Sequence, residues 1–280
     1  MPVYDQSYRR YEARGALRRT RFWPITREAL RLILSKRTFL LLLLAAWVPL
    51  LGHVAYVYVT TQYPEVGRVA PVDGALFARF FEFQKYFVIL LTIFGGAGLV
   101  ADDLRTGAIL VYLSRPLTRR DYVIGKLSVL MALDLSVTLV PGLLFYAVAV
   151  ALAPDTLLSA ELARVPFALI GQALLVSATY SLVGLALSAL SRSARVAGLA
   201  LFGLLTGLEL VRLVLTEAFD LPLAALLSLQ ANLSRVAEAL FGVESGAAVS
   251  WWAALLVLVA AGAAALAAIR SRVRAVEIVS

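Results

Sequence analysis

Apolar residues in this chain neither alternate nor keep to one helical face; they come in long runs. The runs extend over Phe39 to Val59, Tyr86 to Ala101, Val123 to Ala153, Val165 to Leu190, Val196 to Leu215 and Trp251 to Ile269. A helix needs about 20 residues to cross a hydrocarbon core. A membrane strand needs about 10 residues of alternating character, which these runs lack. The pattern therefore predicts an all-α, polytopic membrane protein with six transmembrane helices.

What lies between the runs divides the chain further. Residues 1–21 form a basic tail, 22–37 an amphipathic interface helix, 38–270 the six-helix membrane domain and 271–280 a second tail. In the interface helix, Pro24 suits a first turn. Trp23, Leu30, Ile33 and Leu34 fall near helical spacing, with Arg27, Glu28, Arg31 and Lys36 supplying polar positions; the alternative is an early extension of the first span. An outer loop is expected over residues 60–84, followed by an aromatic belt of Phe80, Phe81, Phe83, Tyr86 and Phe87. Pro141-Gly142 predicts a kink in the third span. Leu221 to Leu229 and Leu233 to Phe241 are too short to cross and read as re-entrant or interfacial helices.

Composition agrees: 61% of the residues are hydrophobic and 16% charged, against roughly a quarter charged in soluble domains. A soluble enzyme is excluded. The net charge of +8 suggests nucleic acid until its placement is considered. With the N-terminus inside, 20 of the 26 Lys and Arg fall on inner segments. That is the positive-inside signature, with both ends cytoplasmic. The basic tail is a solvated inner segment or a contact for anionic lipid. The chain has no cysteine, so thiolate chemistry is absent. One histidine, His53, with no clustered carboxylates makes a metal centre improbable; it reads as a helix-packing residue.

The most informative stretch is residues 102–126. It is too long for a mere connector and has its own apolar segment. Asp102 and Asp103 suit a helix N-terminus, with Leu104, Ile109, Tyr112 and Leu113 as an apolar stripe. Ser114-Arg115-Pro116 breaks that helix. Thr118 and Asp121 have the spacing of a capping box that starts a new helix into the third span. The expected object is a short helix on the cytoplasmic face, held at both ends by spans two and three.

An acidic start at Asp102-Asp103, then Gly107, Ile109-Leu110, Leu113-Ser114-Arg115-Pro116, Arg119-Arg120, Tyr122 and Gly125-Lys126 follow in order, with Arg105 a further basic residue of the segment. This order resembles the type-2 ABC transporter permeases, as does Ile25-Thr26-Arg27-Glu28 to Ser35-Lys36-Arg37. The likeness covers residues 22–270; Ala108 stands where the family usually has Thr. It implies an exporter subunit whose loop 102–121 is a coupling helix docked on a separate ATPase subunit. Tyr112 and Leu113 would anchor that contact. Arg115, Arg119 and Arg120 would meet acidic groups or lipid phosphates. No G-x-x-x-x-G-K-[ST] phosphate loop occurs, so ATP and Mg would be used by the partner and this chain would bind no cofactor.

Three ionisable residues fall inside spans. Asp134 reads as a substrate contact in a wet cavity or as a buried structural acid. Glu209 and Arg212, three apart on one helix face, either line a path or neutralise each other. Gly203 and Gly207 form a small-xxx-small pattern that can seat another helix, pointing to a homodimer or a heterodimer with a similar permease. Two further readings stand beside the permease. An ion-coupled secondary transporter would use the same three charges, although inverted repeats are not evident. A membrane anchor or assembly factor leaves the 102–126 loop unexplained.

Overall fold

The computed structural model describes residues 21–63, 65, 71–113, 117–152, 163–244, 246 and 248–273. Six helices are long and apolar enough to cross a membrane: Arg37–Gln62, Gly74–Thr106, Arg119–Leu152, Val165–Leu190, Ala194–Phe219 and Trp251–Arg272. Among the described residues every regular element is helical. The fourth span is the hub, packed against the third, fifth and sixth and burying Leu169, Val176 and Tyr180. The first and fifth spans lie at the rim and turn most of their apolar residues outward, as lipid-facing helices do.

The interface helix Trp23–Leu34 precedes the first span. Ile25, Thr26 and Ile33 face inward, while Arg27, Glu28 and Arg31 are exposed. Lys36 adopts an extended backbone between this helix and the span, so the two are separate elements. Ile25 and Phe22 sit against Gly125, where an added Cβ would lie 3.1 Å from Ile25 Cβ. This places the interface helix beside the start of the third span. Arg105, Arg192 and Arg272 line one cavity, so spans two, four and six end there together. We call this the terminal end of the bundle and its opposite the distal end.

The second span differs from the run that announced it. Its helix begins at Gly74, capped by the Asp73 side chain accepting from Leu76 N–H at 3.0 Å. The loop expected over residues 60–84 is therefore shorter. Phe80 and Phe81 are not belt residues but core, whereas Phe83 and Tyr86 remain exposed. Aromatic stacking explains the difference. Phe77 and Phe145 lie 4.9 Å apart, and Phe81 and Phe241 5.9 Å, drawing the start of this helix inward. His53 packs edge-on against Phe80, Phe83 and Phe145, and its Nδ1 lies 2.8 Å from Pro49 O.

At Pro141, where the sequence predicts a kink, the third span runs on as one helix from Arg119 to Leu152. Proline has no N–H to offer the carbonyl four residues back, which here is Val137. Gln84 Nε2 fills the vacancy by donating to Val137 O. The same nitrogen donates to Ala46 O at 3.0 Å. Ala46 lies where the first span is interrupted between Ala45 and Val48, just before Pro49. There Leu50 N–H donates to Trp47 O instead. One amide thus serves carbonyls freed beside two prolines in two spans.

At the distal end, a 3-10 turn Pro222–Leu227 and a helix Leu229–Phe241 form the two short apolar segments. Ser228 caps the latter through Ala231 N–H, and Gly242 ends it in the left-handed conformation.

Candidate functional site

The terminal end of the second span gathers the residues singled out in the sequence. Helix Gly98–Thr106 ends because Gly107 takes φ +72°, a left-handed cap that suits glycine. A short helix, Ala108–Leu113, follows at once. Asp102 and Asp103 therefore do not open this short helix. They belong to the closing turns of the second span, since the break falls after them at Gly107. Negative charge is disfavoured at a helix C-terminus, so both need cations.

Asp103 has a strong one. Its Oδ2 lies 2.7 Å from Lys126 Nζ and accepts from the Tyr122 hydroxyl at 2.7 Å. Tyr122 is buried, and the Lys126 side chain is 6% exposed. Lys126 Nζ also stands 5.6 Å from the Tyr122 ring centre and 5.7 Å from that of Tyr112. The two rings are 5.7 Å apart. Tyr112 is thus half-buried against its own chain, although the sequence casts it as an anchor for a partner. Asp102 has a looser partner, Arg105, at 3.5 Å and largely exposed.

The third span opens as its sequence predicts. Thr118 N–H and Oγ1 donate to Asp121 Oδ2 at 2.9 and 2.8 Å, and Asp121 N–H donates back to Thr118 Oγ1 at 3.2 Å. Arg119 and Arg120 follow, exposed. Arg115 and Pro116 lie outside the described residues, and of Leu113 only the backbone is described. Thr26 Oγ1 donates to Gly125 O at 3.0 Å, tying the interface helix to the same turn as Lys126. Deeper in, the second span passes through a π-helical turn, Thr92–Gly96. Ser188 Oγ on the fourth span donates to Ala97 O at 2.7 Å and accepts from Val100 and Ala101 N–H.

Beside this cluster opens a groove of about 790 Å³ between the interface helix, the second span and the fifth. Asp102, Asp103 and Lys126 line part of it, and Phe94, Leu199 and Phe202 supply apolar wall.

The intramembrane charges lie elsewhere and apart from one another. Asp134 is fully buried and accepts from Ser181 Oγ at 2.9 Å, so it packs between spans three and four instead of facing a wet cavity. Glu209 and Arg212 pair with each other at 2.7 Å. They line a distal cavity of about 500 Å³ with Glu82, Lys85, Arg235 and Glu238. Glu82 stands 21 residues before Asp103 on one continuous span, about 30 Å at 1.5 Å per residue. Gly203 and Gly207 have open space where a Cβ would stand, so among the described residues no helix seats there.

Residues 23–268 match the model of the ABC-2 family transporter proteins. The chain belongs to the ABC-2 transporter family. A comparison with curated proteins returns no match. An ABC-2 permease is the membrane transport subunit of an ABC transporter; it is not itself catalytic, and ATP hydrolysis belongs to a separate subunit. In this ABC-2 permease, Thr26, Tyr122, Lys126 and Ser188 are the site residues that sequence reasoning passed over. Tyr122 and Lys126 stood in the quoted motif without a role. Their spacing of four on one helix face was the available signal.

Proposed function

We propose that this permease is the membrane half of an ATP-driven exporter, in which the segment from Asp102 to Asp121 receives the stroke of the ATPase. The observation that carries the reading is the knot of Asp103, Tyr122 and Lys126 behind the short helix. A force on that helix would reach spans two and three together, because one carboxylate oxygen holds both. The Thr26 bond to Gly125 O would pass it on to the interface helix. ATP and Mg act in the partner subunit, and this chain binds no cofactor. The terminal end faces the cytoplasm, in keeping with the distribution of Lys and Arg. A cell inner membrane is the expected location. The chain works as a dimer, its fifth spans meeting at Gly203 and Gly207. The groove beside the knot is the access route for cargo, and the distal charges Glu209 and Arg212 lie near its exit.

Arg119 and Arg120 are the test residues for docking, since both are exposed and removing them leaves the knot intact. With the cognate ATPase co-expressed, Arg119→Ala/Arg120→Ala should weaken association by about 1–3 kcal/mol if these are true contact residues. Membrane insertion should be unchanged. Wild-type co-purification and wild-type transport-stimulated ATP hydrolysis in this variant, and in Tyr112→Ala/Leu113→Ala/Arg115→Ala, would refute docking at this segment. Direction is read separately: in inside-out vesicles an exporter accumulates cargo when ATP is added outside.

A further inference from the structure

At the terminal end, spans two, four and six finish around one recess of about 450 Å³. Three arginines from three chain segments line it, Arg105, Arg192 and Arg272, against walls that include Leu104, Ala189 and Leu190. No carboxylate is among its described lining residues. Among the described residues Arg105 has only the loose, exposed contact with Asp102. Arg192 and Arg272 have no ion pair among the described residues.

Each arginine taken singly has an ordinary explanation. Cations suit helix C-termini, and the positive-inside rule favours them on this side. Neither accounts for three exposed arginines lining one recess, where their like charges together favour an anion. Guanidinium presents a planar fork of donors matched to phosphate oxygens. The level of the recess narrows the choice of anion. It sits at the last turns of three membrane spans, and Leu190 in its wall is 46% exposed, so a bound group would carry apolar chains alongside. Basic pockets between helices at such a boundary take anionic lipid headgroups. The recess also involves Leu104 and Arg105, whereas Asp102 and Asp103 line the separate groove beside the knot.

We propose that Arg105, Arg192 and Arg272 form a binding site for the phosphate of an anionic phospholipid in the leaflet at the terminal end. The lipid would brace the ends of spans two, four and six against one another. This does not depend on the direction of transport.

The test is lipid retention by the purified full chain, read by native mass spectrometry after exchange into mixed phosphatidylglycerol and phosphatidylcholine. Wild type should retain phosphatidylglycerol preferentially by about tenfold, the ratio that one charge-assisted contact supplies. Arg105→Gln/Arg192→Gln/Arg272→Gln should bring the ratio close to one. Arg272→Gln alone lies at the exposed last residue of its helix and leaves the fold in place, and it should lower the ratio by about threefold. Arg270→Gln, outside the recess, should keep the wild-type ratio. Equal retention of both lipids by wild type, or an unchanged ratio in the triple variant, would overturn the site. Displacement of the lipid by millimolar inorganic phosphate would make it a free-anion site and overturn the lipid assignment. Loss of ATPase co-purification in the triple variant with lipid retention intact would reassign the arginines to a protein contact.

Discussion

Gln84 shows how much one side chain can decide in a membrane interior. Inside a bilayer a backbone carbonyl without a partner has no water to turn to, and prolines create such carbonyls. Gln84 Nε2 donates to Val137 O in span three and to Ala46 O at the interruption of span one. Gln84→Leu keeps the volume and removes both bonds. It should cost about 2–6 kcal/mol, at 1–3 kcal/mol for each orphaned acceptor, measured as resistance of the purified protein to chemical unfolding. Adding Pro141→Ala restores an N–H to Val137 O. The double variant should therefore recover part of the loss, a non-additivity of about 1–3 kcal/mol. Strict additivity would mean that Gln84 acts by packing alone. None of this was legible in the chain's pattern. Gln84 precedes the second apolar run and reads as loop, while Pro141 reads as a kink, because periodicity cannot say which side chain will reach a distant carbonyl.

At the level of elements, the end of the second span, the short helix and the start of the third span behave as one body. Their union rests on Asp103 and Lys126, whose side chains are 17% and 6% exposed. Breaking a buried pair from one side leaves a charge without compensation and costs about 3–5 kcal/mol. Lys126→Met alone should therefore destabilise more than Asp103→Asn/Lys126→Met together. Thermal unfolding of the two variants side by side checks this order. The interface helix is joined to the same body at Gly125, whose Cα faces Ile25 and Phe22 O. Gly125→Val should push that helix away, seen as faster proteolysis near residue 36, while the six spans stay inserted. Much of this scale was readable beforehand. The capping box at Thr118 and Asp121 formed where its spacing put it. The interface helix has its polar residues outward. The pattern places the acids on the wrong helix, because Gly107 reads as a motif position and not as a left-handed stop.

For the whole molecule, the unpaired flank of the fifth span is the feature with the largest consequence. Gly203 and Gly207 meet nothing among the described residues, and Leu199, Phe202 and Leu210 are exposed along that helix. Gly203→Leu/Gly207→Leu should leave the monomer's fold unchanged. If the fifth spans meet in a dimer, cross-linking between subunits should fall to background; wild-type cross-linking would move the interface elsewhere. Topology can be tested cleanly because the chain has no cysteine. Cysteines at Gly67 and Glu244 should react with an impermeant thiol reagent in intact cells. Those at Thr106, Ser193 and Ser271 should react only after permeabilisation. Labelling of Thr106→Cys in intact cells would reject the proposed orientation.

The amino-acid sequence alone determined that this chain is a bundle of six membrane helices with an amphipathic helix before them and a short helix after the second. Those features follow from run length, amphipathic spacing and capping chemistry, all local along the chain. The tertiary structure decided what local pattern does not encode. It turned Phe80 and Phe81 into core, carried the third span through Pro141 and buried Asp134 against Ser181. It also brought Asp103, Tyr122 and Lys126 onto one oxygen and gathered Arg105, Arg192 and Arg272 around one recess. Each of these depends on which helix faces which. That choice is set by the packing of all six spans at once, because in lipid every backbone polar group must find its partner within the protein.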